Sequence, residues 1–359
     1  MFTERRYPTN IPLGQLDEYL AKGWFRTGQA IFTCHFLNFQ GDLFDTIWIR
    51  LPLKTYQFRK NLRKLLRKNA KCFKIVIQQA RIDEDREQLY QIHKNRFEGY
   101  VTDTLRESLL DGGYNNLYNS YEIGVYDEER LVAWSCFDKG EDSVASIMGL
   151  FHPDYHKHSL GFYTMLLEIQ FAQEQGLNYY YPGYVVHKYD KFDYKLRIAP
   201  PESIEFFQSR VQKWLPYTQL TPEQIPSEKI NLELAKVQKA LTKTGIGHRK
   251  VLYPLYDKGV STYPNQDFLE SPIFIACHPE QSAPRHLLIE YDYLQDIFRL
   301  GWYSRYDDFA TFLHFKLYEF NPHISCLGFL LSEYILLESK NIAELVKCIQ
   351  MEKMTKPIE

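Results

Sequence analysis

The chain has 359 residues, 45% of them apolar and 16% aromatic, with 43 Lys+Arg against 45 Asp+Glu. That length exceeds one ordinary domain, and the apolar content supports sizeable cores and excludes wholesale disorder. A net charge of −2 gives no global field announcing a polyanionic partner, so charge has to be examined locally.

In chain order, residues 16–22 pattern as a short helix stopped by Gly23, followed by strand-like runs at 30–34 and 46–51 rich in β-branched and aromatic side chains. Helices are expected at about 55–70, at 83–97 and, shorter, at 103–110. Residues 121–126 and 131–137 flank a polar turn and predict a hairpin, and 144–151 supplies a further strand. A loop holding Pro153 and Gly161 leads into a helix over 163–175, closed by Gly176, and a strand starts at 178. That strand is expected to end at Pro182-Gly183 and splay from its neighbour, opening a cleft beside the turn carrying Lys191, Tyr194 and Lys195. Pro216, Pro222 and Pro226 mark a linker, and 231–244 is an amphipathic helix. Strands at 272–276 and 286–291 and a terminal helix over 331–353 complete the chain.

The fold class expected from this order is α+β. Helices, then an antiparallel meander, then a loop-helix-strand crossover form the order of a GCN5-related acyltransferase (GNAT) domain, placed at 76–207: a mixed, mostly antiparallel sheet flanked by helices. A small N-terminal α+β domain at 1–75, a linker and helix at 208–247 and a C-terminal α+β domain at 248–359 make up the rest. Six cysteines, at 34, 72, 136, 277, 326 and 348, have no short pairing and read as reduced thiols. The opening residues hold no apolar signal core, and no apolar run has membrane length. These features predict a cytoplasmic protein without a membrane partner.

Residues 54–74 hold nine basic side chains and no acidic one. Arg59, Arg63, Arg67 and Lys71 recur four apart, with Lys60, Lys64 and Lys68 beside them, so a helix here presents one broad cationic face opposite Leu62, Leu65 and Leu66. Like charges four apart cost helix stability, and phosphates relieve that cost, which predicts RNA contact. The alternative is a solvated face neutralised by Asp83, Glu84 and Asp85. Further on, His158-x-x-Gly161-x-Tyr163 lies between a strand and a helix, where backbone amides favour anions and Gly161 permits close approach. The plainer reading is a helix start capped by Ser159.

These pieces resemble a known family. Asp154, Ser159-Leu160-Gly161-x-Tyr163, Glu168-Ile169, Gly176-Leu177-x-Tyr179, Gly183-Tyr184 and Lys191-x-x-Tyr194-Lys195 are similar to the C-terminal half of arginyl-tRNA–protein transferases, which include bacterial relatives that transfer leucine. Upstream, Gly23-Trp24-Phe25-Arg26-Thr27-Gly28 resembles the family's Gly-aromatic-Arg-Arg-Ser-Gly segment, and Arg50-Leu51-Pro52-Leu53, Phe58-Arg59-Lys60 and Arg67-Lys68-Asn69 its Arg-rich stretch. The resemblance implies an enzyme that moves arginine or leucine from aminoacyl-tRNA to the N-terminal amine of an acceptor protein, as in N-degron tagging. It implies Asp154, Tyr184, Lys191, Tyr194 and Lys195 at the reaction centre, with Glu168 a second base candidate beside Asp154. Arg59, Lys60, Arg63, Lys64, Arg67, Lys68, Ser159, Gly161 and Tyr163 are then tRNA-binding candidates. The family's clustered cysteines are not matched, since Cys34 is followed by His35 and no cysteine comes before Cys72. Neither an iron–sulfur cluster nor another metal or cofactor is therefore expected, and aminoacyl-tRNA is the co-substrate. Two other readings stay open: a coenzyme A-dependent GNAT acyltransferase, against which the bulky Tyr163 speaks, and a non-catalytic relative that binds tRNA or N-termini.

Overall fold

The computed structural model describes residues 3–39, 42–95, 101–253, 256, 268–278, 284–306 and 329–355. Its strands and helices in chain order are β1 (Thr3–Arg6), α1 (Leu13–Ala21), β2 (Phe25–Thr27), β3 (Ala30–Cys34), β4 (Phe36–Phe39), β5 (Asp42–Pro52), α2 (Lys60–Ala70), β6 (Lys74–Gln79), α3 (Glu84–Lys94), α4 (Leu105–Leu110), β7 (Ser120–Asp127), β8 (Arg130–Lys139), β9 (Ser143–Phe151), α5 (Leu160–Glu174) and β10 (Tyr179–Val186). There follow β11 (Glu205–Gln208), β12 (Lys213–Pro216), α6 (Pro226–Lys243), β13 (His248–Leu252), β14 (Ile273–Cys277), β15 (Arg285–Asp292), β16 (Ile297–Tyr306), β17 (Phe329–Ser339) and α7 (Ile342–Thr355). The whole is α+β.

Two compact units emerge, one of residues 5–33 and 46–220, the other of 1–4, 34–45 and 221–359. In the first, a sheet runs β12-β11-β5-β10-β9-β8-β7-β6. Every neighbouring pair is antiparallel except β9 and β10, which α5 joins as a crossover. This is the helices, meander and crossover order of a GNAT-like domain. Where the sequence divides the chain at residue 75, β5 lies inside the same sheet as β6–β10, because its buried Ile47, Ile49 and Leu51 share a core with β7, β8 and α5. Helix α5 is buried almost all round, from Leu160 to Ala172. Side chains of β8 alternate, so Trp134 and Cys136 join the cluster formed with α3 and α4, while Ala133 and Phe137 join the α5 core.

The second unit is an antiparallel sheet, β13-β14-β15-β16-β17, with α6 and α7 contributing Ile230, Leu234, Val237, Leu241, Leu345 and Ile349 to its core. Here the sequence expectation needs correction. Residues 331–353 are not one helix: the apolar run forms β17, paired along β16, and α7 starts only after a break. At the break Ser339 accepts from the Asn341 amide and Asn341 Oδ1 accepts from the Ala343 amide, so this pair stops the strand and starts the helix. No described helix is long and apolar enough to cross a membrane.

Candidate active site

The cleft comes from the way β10 leaves β9. The two are paired only through Tyr179, Tyr180 and Tyr181 against Ser143, Val144 and Ala145, although β9 continues to Phe151 and β10 to Val186. The expected splay is therefore present, but the strand does not end at Pro182-Gly183; it runs on against β5 with a register shift between Tyr180 and Gly183. Pro182 has no N–H to give, and it stands where β10 has just lost the neighbour that would have received one. Gly183 follows with φ +91°, a conformation that side-chain-bearing residues rarely adopt.

Beyond the splay, residues Asp190–Ile198 coil into a tight helical turn. Lys195 points inward: its Nζ donates to the Tyr184 carbonyl at 2.9 Å and lies 5.2 Å from the Tyr184 ring and 5.3 Å from the Phe192 ring. A Cβ on Gly183 would sit 3.2 Å from this Nζ, so the glycine makes room for the ammonium. No carboxylate pairs with Lys195 among the described residues, and burial lowers its pKa to about 7. Tyr184 is fixed between Trp48 and Phe192, at ring distances of 5.0 and 5.6 Å. Tyr194 is 42% exposed, yet burial of its hydroxyl end, and then the Glu168 charge, raise its pKa. Lys191 instead faces outward, 5.7 Å from the Tyr189 ring.

Glu168 is not a surface charge. It is fully buried on α5, where its Oε2 accepts from Tyr180 at 2.8 Å and its Oε1 has no partner of normal geometry. Burial raises its pKa to about 7 against the opposing influence of the Ser135, Ser146 and Tyr180 hydroxyls. The turn of α5 that carries it, Thr164-x-x-x-Glu168-x-x-x-Ala172, is buried at all three positions. A carboxyl one turn away from small buried residues on both sides was the sequence signal for a core position.

The start of α5 differs from the phosphate loop that the sequence suggests. Ser159 adopts a left-handed φ of +51° and its side chain makes no capping hydrogen bond. The space at Gly161 is taken by the Phe151 ring, which a Cβ would meet at 3.0 Å, so close packing of a ring onto the helix is what calls for glycine there. Tyr163 is wholly buried, and burial pushes its unpartnered hydroxyl up to about 12. Asp154 lies on the Pro153–His158 turn, 3.5 Å from His152.

On α2, Leu62 is buried and Leu65 and Leu66 pack against the core, leaving Lys60, Arg63, Lys64, Arg67 and Lys68 exposed. Arg59 donates to the Arg197 carbonyl at 2.9 Å, and Arg67 to the Arg63 carbonyl at 3.3 Å. None of these cations pairs with a carboxylate among the described residues. Asp83, one of the three acids expected to neutralise this face, is instead paired with Arg81 and Arg86. The face is thus uncompensated. Cys34 is buried, and the described residues hold no group of three or more metal-capable side chains.

A family model described as arginine-tRNA-protein transferase, C terminus, matches residues 75–205. The aspartate/glutamate leucyltransferase of Helicobacter hepaticus is 30% identical over 195 residues, covering 52% of this chain and 77% of that protein. Those of Campylobacter jejuni and Leptospira interrogans are 29% and 26% identical, each over 58% of this chain, and over 89% and 81% of their own lengths. Among solved structures, the crystal structure of FemX covers 53% of this chain and 65% of that one at 10% identity and a TM-score of 0.31.

Proposed function

The chain belongs to the arginine-tRNA–protein transferase family, enzymes that pass an aminoacyl group from tRNA to a protein, and from that premise we propose that it transfers leucine to proteins beginning with Asp or Glu. The donor and acceptor follow the shared name of the relatives, and the role would be that of an N-degron tag. The observation that carries the site assignment is the enclosed Lys195 ammonium, held beneath the opening of β9 from β10 without a counter-charge.

The reaction joins the acceptor's α-nitrogen to the ester carbonyl carbon and breaks the bond from that carbon to the ribose oxygen of tRNA. An ammonium cannot attack, so one proton must leave first. Lys195, partly neutral near pH 7, takes that proton and then stands as a cation against the developing oxyanion, with the Tyr194 hydroxyl as a second donor. As the tetrahedral adduct collapses, Lys195 passes that proton to the departing ribose oxygen, and the attacking nitrogen, cationic once it has bonded to the carbonyl carbon, releases a second proton to water, which leaves a neutral amide and a neutral Lys195 amine. Tyr184 holds Lys195 through its carbonyl and ring, and Lys191, at the outer end of the turn, meets the tRNA terminus. Asp154 is left to the turn before α5, where with Ser159 it meets the tRNA acceptor end. The cationic face of α2 supplies most of the tRNA affinity, so the chemistry and the binding are separable.

The test is incubation with tRNA charged with labelled leucine or arginine and peptides beginning with Asp, Glu, Lys or Ala. Leucine on the acidic peptides is expected. Arginine transfer without leucine transfer overturns the donor, and no transfer to any peptide overturns the catalytic reading.

A further inference from the structure

The turn that carries Lys195 ends at Ile198, and no backbone amide among the described residues reaches the carbonyl of Arg197 or of Ile198. Helical turns leave such terminal carbonyls to outside donors. Here both donors come from the segment that leads into α2. The Tyr56 hydroxyl donates to the Ile198 carbonyl at 2.6 Å, and Arg59 Nη2 donates to the Arg197 carbonyl at 2.9 Å.

Tyr56 is itself fixed by its backbone. Its amide donates to the Leu53 carbonyl at 3.1 Å, and its carbonyl accepts from Gln173 Nε2 of α5 at 2.9 Å. The side chain is buried, and burial, opposed in part by the Arg59 charge, pushes the hydroxyl up to about 12, so it stays a donor at every working pH. At the far end of α2, the wholly buried Asn69 donates from its side chain to the His158 carbonyl at 2.9 Å, just before α5 begins. The helix with the cationic face is therefore fastened at one end to the Lys195 turn and at the other to the start of α5. Lys195 has a demanding place to keep, since its Nζ must meet the Tyr184 carbonyl at 2.9 Å within a space left by Gly183. A misplacement of about 1 Å in a reacting group can cost roughly 100-fold in rate.

We propose that Tyr56 is a positioning residue for the transfer reaction: its hydroxyl fixes the end of the Lys195 turn against α2, which sets the lysine amine at the ester of a tRNA docked on that helix. The proposal rests on the reading above that Lys195 takes the proton and α2 binds tRNA. Tyr56 acts through Lys195 and touches neither substrate.

The test is Tyr56→Phe in the full chain, which removes one hydroxyl and keeps the ring. Single-turnover transfer from saturating charged tRNA should fall about 10- to 100-fold, while Kd for charged tRNA stays as in wild type because the cationic face is intact. Burial alone lowers the pKa of Lys195, so a loosened turn that admits water should raise the midpoint of the transfer pH profile from near 7 toward the ordinary 10.5. Lost stability by itself does not move that midpoint: Val132→Ala, which removes methyl groups from the same core and no hydrogen bond from the turn, should keep it. Tyr56→Phe with the wild-type rate and midpoint overturns the proposal. Titration of the Lys195 amine by NMR, on enzyme with isotope-labelled lysine and no tRNA, separates this failure from that of the functional reading. A midpoint raised by Tyr56→Phe, in an enzyme that transfers no amino acid, keeps the positioning role and removes the transferase assignment. Equal NMR midpoints in the two chains overturn the positioning role while leaving any transfer by the wild type in place.

Discussion

The Tyr180 hydroxyl lies 2.8 Å from Glu168 Oε2, and among the described residues no cation faces this fully buried carboxyl. A carboxyl in that position is far easier to bury neutral than charged. In the folded chain it keeps its proton up to about pH 7, against an ordinary value of 4.5.

The consequence for stability has a definite sign. The folded state binds this proton more tightly than the unfolded state, so the contribution is fully present below pH 4.5 and is lost as pH rises through 7. The shift corresponds to roughly 3 kcal/mol. Glu290, also raised to about 7 by burial, acts in the same window, so wild-type stability should fall from pH 5 to pH 8 through both groups. Glu168→Gln should shrink that fall by about 3 kcal/mol in denaturant titrations at the two pH values. Equal falls in wild type and variant would show that Glu168 does not carry the effect.

Much of the fold was legible because its strands and helices have the composition of isolated elements. The 121–137 hairpin, the crossover helix and the strand after Gly176 all come from local pattern. What local pattern missed depends on partners. The run at 329–339 has no polar periodicity, so only pairing with β16 decides that it is a strand. Lys195 is reached in the sequence through the family resemblance and not through local pattern, and its enclosure depends on the space that Gly183 leaves and on the Tyr184 carbonyl that receives it.

Gly161 separates two accounts of the α5 start. An added Cβ would meet the Phe151 ring at 3.0 and 3.3 Å, and overpacking of this kind costs roughly 1–3 kcal/mol, part of it offset by the better helix propensity of alanine. Gly161→Ala should therefore lower stability by about 1 kcal/mol, and Phe151→Leu in the same chain should recover it. If glycine is there to admit a phosphate, Gly161→Ala would weaken tRNA binding with stability intact, and Phe151→Leu would not help.

The α2 face should govern salt dependence. Arg63, Lys64 and Lys68 are exposed and make no ion pair among the described residues, so replacing all three with Gln should leave the fold unchanged. Each lost phosphate contact removes about 0.7–0.9 from the slope of log K against log salt, so the triple variant should lose about 2–3 in slope as well as affinity. An unchanged slope would return α2 to a merely solvated surface.

Lys195 gives the sharpest pH test, because the ammonium and its neutral amine have different tasks. Burial lowers its pKa from 10.5 to about 7, so the folded state binds fewer protons than the unfolded one between those values, and stability should rise with pH across that window. Lys195→Met should abolish this rise. In catalysis the neutral amine accepts the proton of the incoming ammonium, so single-turnover transfer should increase through a midpoint near pH 7. Lys195→Arg keeps a positive charge and donors for the Tyr184 carbonyl but cannot lose its proton at these pH values. If proton transfer is the role, Lys195→Arg should be slowed at least as strongly as a general-base deletion, about 100-fold or more, and should lose the midpoint. Tyr194→Phe should slow transfer while keeping the midpoint, since that residue donates but does not exchange the proton. All three variants should bind charged tRNA as wild type does, α2 being intact. A Lys195→Arg enzyme with the wild-type rate and midpoint would reduce the residue to a fixed charge and move the proton transfer elsewhere.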